Sequence, residues 1–229
     1  MPFENLESRG SPLFCSGGMD DCGREDQTLI SAAASRGQDN PVRNLIFAIN
    51  ITLDGCCDHA IQLADDETLA YFTQLTREAD VQVFGRKTYE LMVPYWPEAA
   101  KDESMSKAEH EFARAFESIR KVVFSRSLKS ADDGNTRIVG AKAGHELRDE
   151  IVKLKQEQGK NILVGGVDVP SQLIELGLVD EYRFVVGPII AGKGRRLMEG
   201  VRLAERLQLR LVESKSFRAG CVALRYLKQ

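Results

Sequence analysis

The chain has few of the features that would tie it to a metal, a membrane or a nucleic acid. It has five cysteines in 229 residues, an odd number, and Cys56 and Cys57 are adjacent. That is poor geometry for a disulfide framework, so reduced thiols are expected. Cys56, Cys57 and His59 are followed by no second Cys or His pair at ligand spacing, which argues against a metal site. No apolar run reaches the roughly 18 residues of a membrane span. The N-terminus also lacks a basic stretch leading into an apolar core and cleavage site, so a cytoplasmic protein is expected. The formal net charge is −3, which leaves no basic field for nucleic acid or an anionic membrane.

Regular patterning is also missing from residues 1 to 43. This stretch is rich in Gly, Ser, Asp and Arg, and it shows no sustained period of 2 or 3.6 apart from a possible short helix at Ser31 to Ala34. It holds four basic and seven acidic residues and so carries the whole net charge of −3. It is expected to be a disordered extension, followed by a single domain over 44 to 229.

From Asn44 onward, strand-like and helix-like runs alternate. Leu45 to Ile49, Val81 to Phe84, Val122 to Phe124 and Ile162 to Val164 are short apolar runs suited to buried strands. Between them lie helical patterns: Leu69, Phe72 and Leu75 behind the caps Asp65 and Asp66, then Phe112 and Phe116 behind a Ser106/Glu109 capping box, then Leu147, Ile151 and Leu154. After Val179 the helices fade, and Tyr182 to Ile190, Leu207 to Val212 and Val222 to Tyr226 read as strands. The expected fold is α/β. Its mainly parallel sheet is flanked by helices on both faces, with antiparallel strands at the C-terminus.

Three turns fall at the carboxyl ends of the parallel strands, where such sheets collect ligands. Gly165, Gly166 and Val167 join a strand to a helix containing Pro170, so unpaired N–H groups there favour an anion. A branched side chain at Gly166 is expected to fill the space of a phosphate at little cost to the fold. Gly85, Arg86, Lys87 and Thr88 form a second such turn, where two cations oppose the helix dipole and a bound anion would explain them. Ser125 and Arg126 end the third strand with a hydroxyl and a guanidinium.

Four pieces of the sequence together resemble the dihydrofolate reductase-like family. They are Ala48 to Gly55, Phe84 to Glu90, Val164-Gly165-Gly166, and Gly187 to Gly194 with its Pro and Gly-x-Gly. Within that family the chain is similar to the reductase domain of the riboflavin-pathway bifunctional deaminase-reductase, over Asn44 to Gln229. The resemblance implies NADPH as cofactor, with Gly85 to Thr88 near the phosphates. It also implies Ser125 and Arg126 near the adenosine 2′-phosphate, and Gly165 to Val167 on the pyrophosphate. The implied activity is reduction of a pyrimidine or pterin-like heterocycle, as in 5-amino-6-(5-phosphoribosylamino)uracil reductase, by a homodimer. Lys193 and Arg195 are candidate clamps for a substrate phosphate, or only part of a basic surface turn. Asp54 is a candidate acid and substrate contact, or only a turn residue.

Two departures qualify the resemblance. Where dihydrofolate reductase proper carries a pterin-binding acid, the matching position is Thr68, with Glu67 or Asp66 as substitutes, so folate is disfavoured. Glu67 and Thr68 therefore join Asp54 as candidate catalytic residues. No zinc deaminase signature occurs, leaving a stand-alone reductase. A dihydrofolate reductase-type enzyme and a non-catalytic nucleotide-binding protein on the same fold are the alternatives.

Overall fold

The structure, a computed structural model, describes residues 42–61, 65–131, 133–140 and 144–229. The expected extension over 1–41, with its short helix at Ser31 to Ala34, lies outside the described residues. Arg43, placed in that extension by its sequence, belongs to the domain. Its backbone N–H donates to Lys155 O, and its buried guanidinium reaches Leu154 O and pairs with Asp80.

Eight strands form one sheet in the order β4-β3-β2-β5-β1-β6-β8-β7. The strands are β1 Leu45–Thr52, β2 Ala79–Gly85, β3 Arg120–Phe124, β4 Thr136–Val139, β5 Asn161–Val164, β6 Glu181–Gly187, β7 Leu209–Ser216 and β8 Val222–Lys228. From β4 across to β6 every pair is parallel, while β8 runs antiparallel to both β6 and β7. This agrees with the expected mixed sheet, with β4 as an edge strand that the sequence patterning did not mark.

Side chains on a strand alternate between faces, and the helices cover both. On one face α1 (Asp66–Glu78) and α4 (Lys107–Ser118) pack Leu69, Leu75, Phe112 and Phe116 against Ile46, Ala48, Phe84 and Leu163. On the other, α5 (Gly144–Gln156) and α6 (Asp168–Glu175) pack Leu147, Ile151, Leu154 and Leu173 against Leu45, Phe47, Val83 and Val164. Two shorter helices, α2 (Arg86–Met92) and α3 (Tyr95–Ala99), follow β2. The Asp65 cap and the Ser106/Glu109 capping box form as their residue types dictate.

The strand order places the site. β5 enters between β1 and β2, so the chain leaves the sheet centre in opposite directions on either side of it. Such a reversal opens a crevice at the carboxyl ends of the strands. The glycines that end β5 stand in that crevice. Among the described residues, no helix is long and apolar enough to cross a membrane.

Candidate active site

A cleft of about 1190 Å³ lies along the carboxyl edge of the sheet. It is lined by residues from all three predicted turns: Gly85, Arg86, Lys87 and Thr88; Ser125 and Arg126; Gly165, Gly166 and Val167. The turns are distant in sequence, and the parallel strands β2, β3 and β5 deliver all of them to one edge.

Two helix starts at this edge, those of α2 and α6, carry no side-chain cap. Neither Gly85 before α2 nor Val167 before α6 supplies a side-chain cap, so the first N–H groups of both helices lack the usual side-chain acceptor. Gly166 has φ +85°, and a Cβ there would stand 2.3 Å from Thr88 Oγ1. The glycine therefore lets the β5 turn lie directly on α2, which joins two of the turns into one surface. The space next to Gly166 is filled by the protein's own hydroxyl, contrary to the expectation that a phosphate fills it.

The cations divide unequally. Arg86 donates to both carboxylate oxygens of Glu90, one turn along α2, at 2.9 and 2.8 Å. Its charge is met within the helix, so Arg86 has an explanation other than an anion. Among the described residues, Lys87 and Arg126 have no ion-pair partner. Ser125, buried, accepts from the N–H groups of Ser127 and Leu128 at 3.2 and 2.9 Å, so its oxygen shapes the turn that carries Arg126.

Of the candidate catalytic residues, only Thr68 lines the cleft. Glu67 lies outside the lining and accepts from the Arg218 backbone N–H at 2.5 Å, at the β7–β8 turn. Asp54 also lies outside. Its carboxylate accepts from Thr52 Oγ1 (2.5 Å), Ala191 N (3.0 Å) and Gly192 N (2.8 Å), and it pairs with Arg196 at 2.8 Å. The Thr52 hydroxyl, the two loop amides and Arg196 hold it well below the usual carboxylate range. A group held as a carboxylate in this way clasps a loop and donates no proton near neutral pH.

The Gly-x-Gly loop is thereby shut on itself. Cys57 N donates to Arg195 O at 3.0 Å, and a Cβ on Gly194, at φ +97°, would meet Cys56 Sγ at 2.8 Å. Arg195 reaches the cleft but pairs with Asp168 of α6 at 2.6 Å, while Lys193 is exposed and outside the lining.

Several cleft residues are absent from the sequence-based site. Asp58 and His59 follow the Asp54-Gly55 turn and line the cleft beside Cys57. Burial pushes the Cys57 thiol up from its usual value. Gln82 lines the cleft from the middle of β2. Its signal was one amide inside the apolar run Val81 to Phe84.

The description of the RibD C-terminal domain matches residues 43–223. The uncharacterized protein YyaP of Bacillus subtilis (strain 168) is 30% identical over 189 residues, covering 80% of this chain and 94% of that protein. Among solved structures, a putative riboflavin biosynthesis protein from Shewanella sp. PV-4 superposes with a TM-score of 0.58 at 18% identity. The match covers 81% of this chain and 99% of that one. RibD of Acinetobacter baumannii gives a TM-score of 0.60 at 15% identity over 82% of this chain, which spans 58% of that longer protein. The chain belongs to the RibD C-terminal domain family and has the dihydrofolate reductase-like fold of riboflavin-biosynthesis-type reductases.

Proposed function

We propose that this protein is an NADPH-dependent reductase of a pyrimidine or pterin-like heterocycle. The observation that carries the reading is the meeting of three turns on one cleft, with uncapped helix starts and two unpaired cations there. The donor set suits NADPH: backbone N–H groups for the pyrophosphate, Lys87 for a further phosphate oxygen, and Arg126 for the 2′-phosphate. When bound, the nicotinamide supplies a hydride. The remaining work falls to this chain. Ala48, Leu69, Phe72 and Phe84 give the cleft an apolar wall that excludes water, and Thr68 orients the ring from the start of α1. With Asp54 and Glu67 engaged elsewhere, His59 on the loop after β1 is the cleft imidazole able to hand over a proton.

The same engagement of Asp54 and Glu67 favours, as second reading, a protein that binds the nucleotide without turnover. Titration with NADPH and NADH, followed by oxidation of NADPH with pyrimidine and pterin substrates, separates the two. Tight NADPH binding with turnover supports the reductase, tight binding without turnover on any heterocycle supports the second reading, and no NADPH binding removes both.

The expected homodimer belongs to the proposal as well. β7 is an edge strand, and its Leu211 is 49% exposed. Light scattering at micromolar concentration is expected to give about twice 25.5 kDa. A constant single-chain mass would remove the dimer.

A further inference from the structure

On the α1 face of the sheet the cleft is lined by the apolar residues Ala48, Leu69, Phe72, Phe84 and Leu163. Two polar side chains stand among these walls. Thr68 is 2% exposed and Gln82 6% exposed, and neither the Thr68 hydroxyl oxygen nor the Gln82 carbonyl oxygen has a hydrogen-bond partner. The Cys221 thiol beside Thr68 is only a weak partner for it.

Two polar neighbours, Thr76 and Lys121, are already engaged. Thr76, which also lines the cleft, donates from Oγ1 to Phe72 O at 2.9 Å. Lys121 lies opposite Gln82 on β3, and its ammonium goes to Ile119 O at 3.1 Å and Glu117 O at 3.4 Å. Leu163, the neighbour of Gln82 on β5, offers nothing polar from its side chain. A buried amide oxygen without a partner lowers stability, and an apolar residue of the same shape would serve a structural role better. Among the described residues the remaining unpartnered buried side-chain oxygen, that of Thr136, is on the edge strand β4 and outside the cleft lining.

Building on the reductase reading above, we propose that the Gln82 carboxamide is a specificity-determining group that reads the lactam edge of the heterocycle. A carboxamide offers an acceptor oxygen and two N–H donors on one plane, and a half-turn of the amide exchanges their places. Its complement is a flat ring with an N–H beside a C=O, to which it makes two hydrogen bonds at once. The apolar walls seat such a ring, and the Thr68 hydroxyl is free to meet a further polar atom on it. A ring whose nitrogens are alkylated leaves the Gln82 oxygen buried and unpaired, which is the stronger source of discrimination.

The test uses the full chain with uracil and 1,3-dimethyluracil as probes, their affinities read by ligand-observed NMR with and without NADPH. The wild type is expected to prefer uracil by about tenfold. Gln82→Met should bring that preference to about twofold or less while melting at or above the wild-type temperature. Gln82→Glu keeps the shape but has no N–H to give, and it should weaken uracil without altering NADPH affinity. The inference is overturned if the wild type shows no preference or binds neither probe, or if either variant keeps the full preference. A Gln82→Met variant that melts several degrees lower assigns the amide a structural role and overturns it too. Loss of NADPH binding by the wild type would sink the reductase reading alone, and the uracil preference would still judge Gln82.

Discussion

Two glycine turns at the same edge of the sheet look alike as sequence and differ as structure. Gly165-Gly166 and Gly192-Lys193-Gly194 both follow strands that run parallel to β1, and both put glycine at positive φ. The first faces the cleft with uncapped helix starts beside it. In the second, the amides of Ala191 and Gly192 are consumed by Asp54, with Arg196 closing the clasp. A glycine permits close approach of backbone, and the approaching group is set by what the rest of the chain brings there. At one turn the approaching group is the Thr88 hydroxyl of α2, and at the other it is the Asp54 carboxylate.

The largest effect is expected from Gly166→Val. Positive φ strains a β-branched residue by about 1–3 kcal/mol, and its Cβ would collide with Thr88 Oγ1. We expect a lower melting temperature together with loss of NADPH affinity of about a hundredfold or more, since both turns of the cleft must move. Thr88→Ala placed on top of Gly166→Val should recover part of the melting temperature. If the single variant melts like the wild type, the contact with Thr88 does not shape the turn.

Arg126→Ala tests the open turn without touching its backbone. Removing one guanidinium from a 2′-phosphate should weaken NADPH by about ten- to a hundredfold and leave NADH within about twofold. Equal losses for both cofactors in a fluorescence titration would place the 2′-phosphate elsewhere and leave the phosphate end of the cleft unassigned.

The contrast between the turns also marks what the sequence could tell. Strand runs such as Leu45 to Ile49, buried on both faces, and helix caps such as Ser106 announce themselves through local chemistry, so the architecture was readable. The three cleft turns were readable because strand direction alone decides which end of each strand they occupy. The partners of Asp54 and Glu67 were not. They come from residues 137 and 151 positions away, Ala191 and Arg218, brought close only by the finished sheet. Gln82 was visible as a polar residue in an apolar strand, but its role depends on α1 lying above it. The edge strand β4, four residues long and only partly buried, lacks the apolar run that marks its neighbours.

Asp54→Asn opens the closed turn. At pH 7 the variant should melt about 2–4 °C lower, because Arg196 loses its charge partner and one loop amide loses its acceptor. The sign of the pH dependence follows from the depressed pKa. The stabilisation is fully present above the unfolded carboxylate pKa of about 3.9 and is lost as pH falls towards the lower folded value. Thermal melts of both proteins from pH 7 downwards should therefore show a constant gap that narrows only below about pH 4. A gap that widens as pH falls from 7 to 5 would mean that the folded pKa of Asp54 lies above the free value, restoring it as a candidate proton donor.

Lys193→Ala should do least, and it separates the two turns most cleanly. Lys193 sits between two glycines, the arrangement that suggested a phosphate clamp, yet it is exposed and outside the cleft. The amides that would have joined it in holding an anion are already bonded to Asp54. A lone exposed ammonium adds little to binding, so NADPH affinity and turnover should stay within about twofold of the wild type. Turnover with a phosphorylated and a dephosphorylated substrate gives the sharper reading, since a clamp would raise KM for the phosphorylated one alone. A tenfold rise confined to that substrate would show that the closed turn opens to receive it, and the two glycine turns would then be alike in function after all.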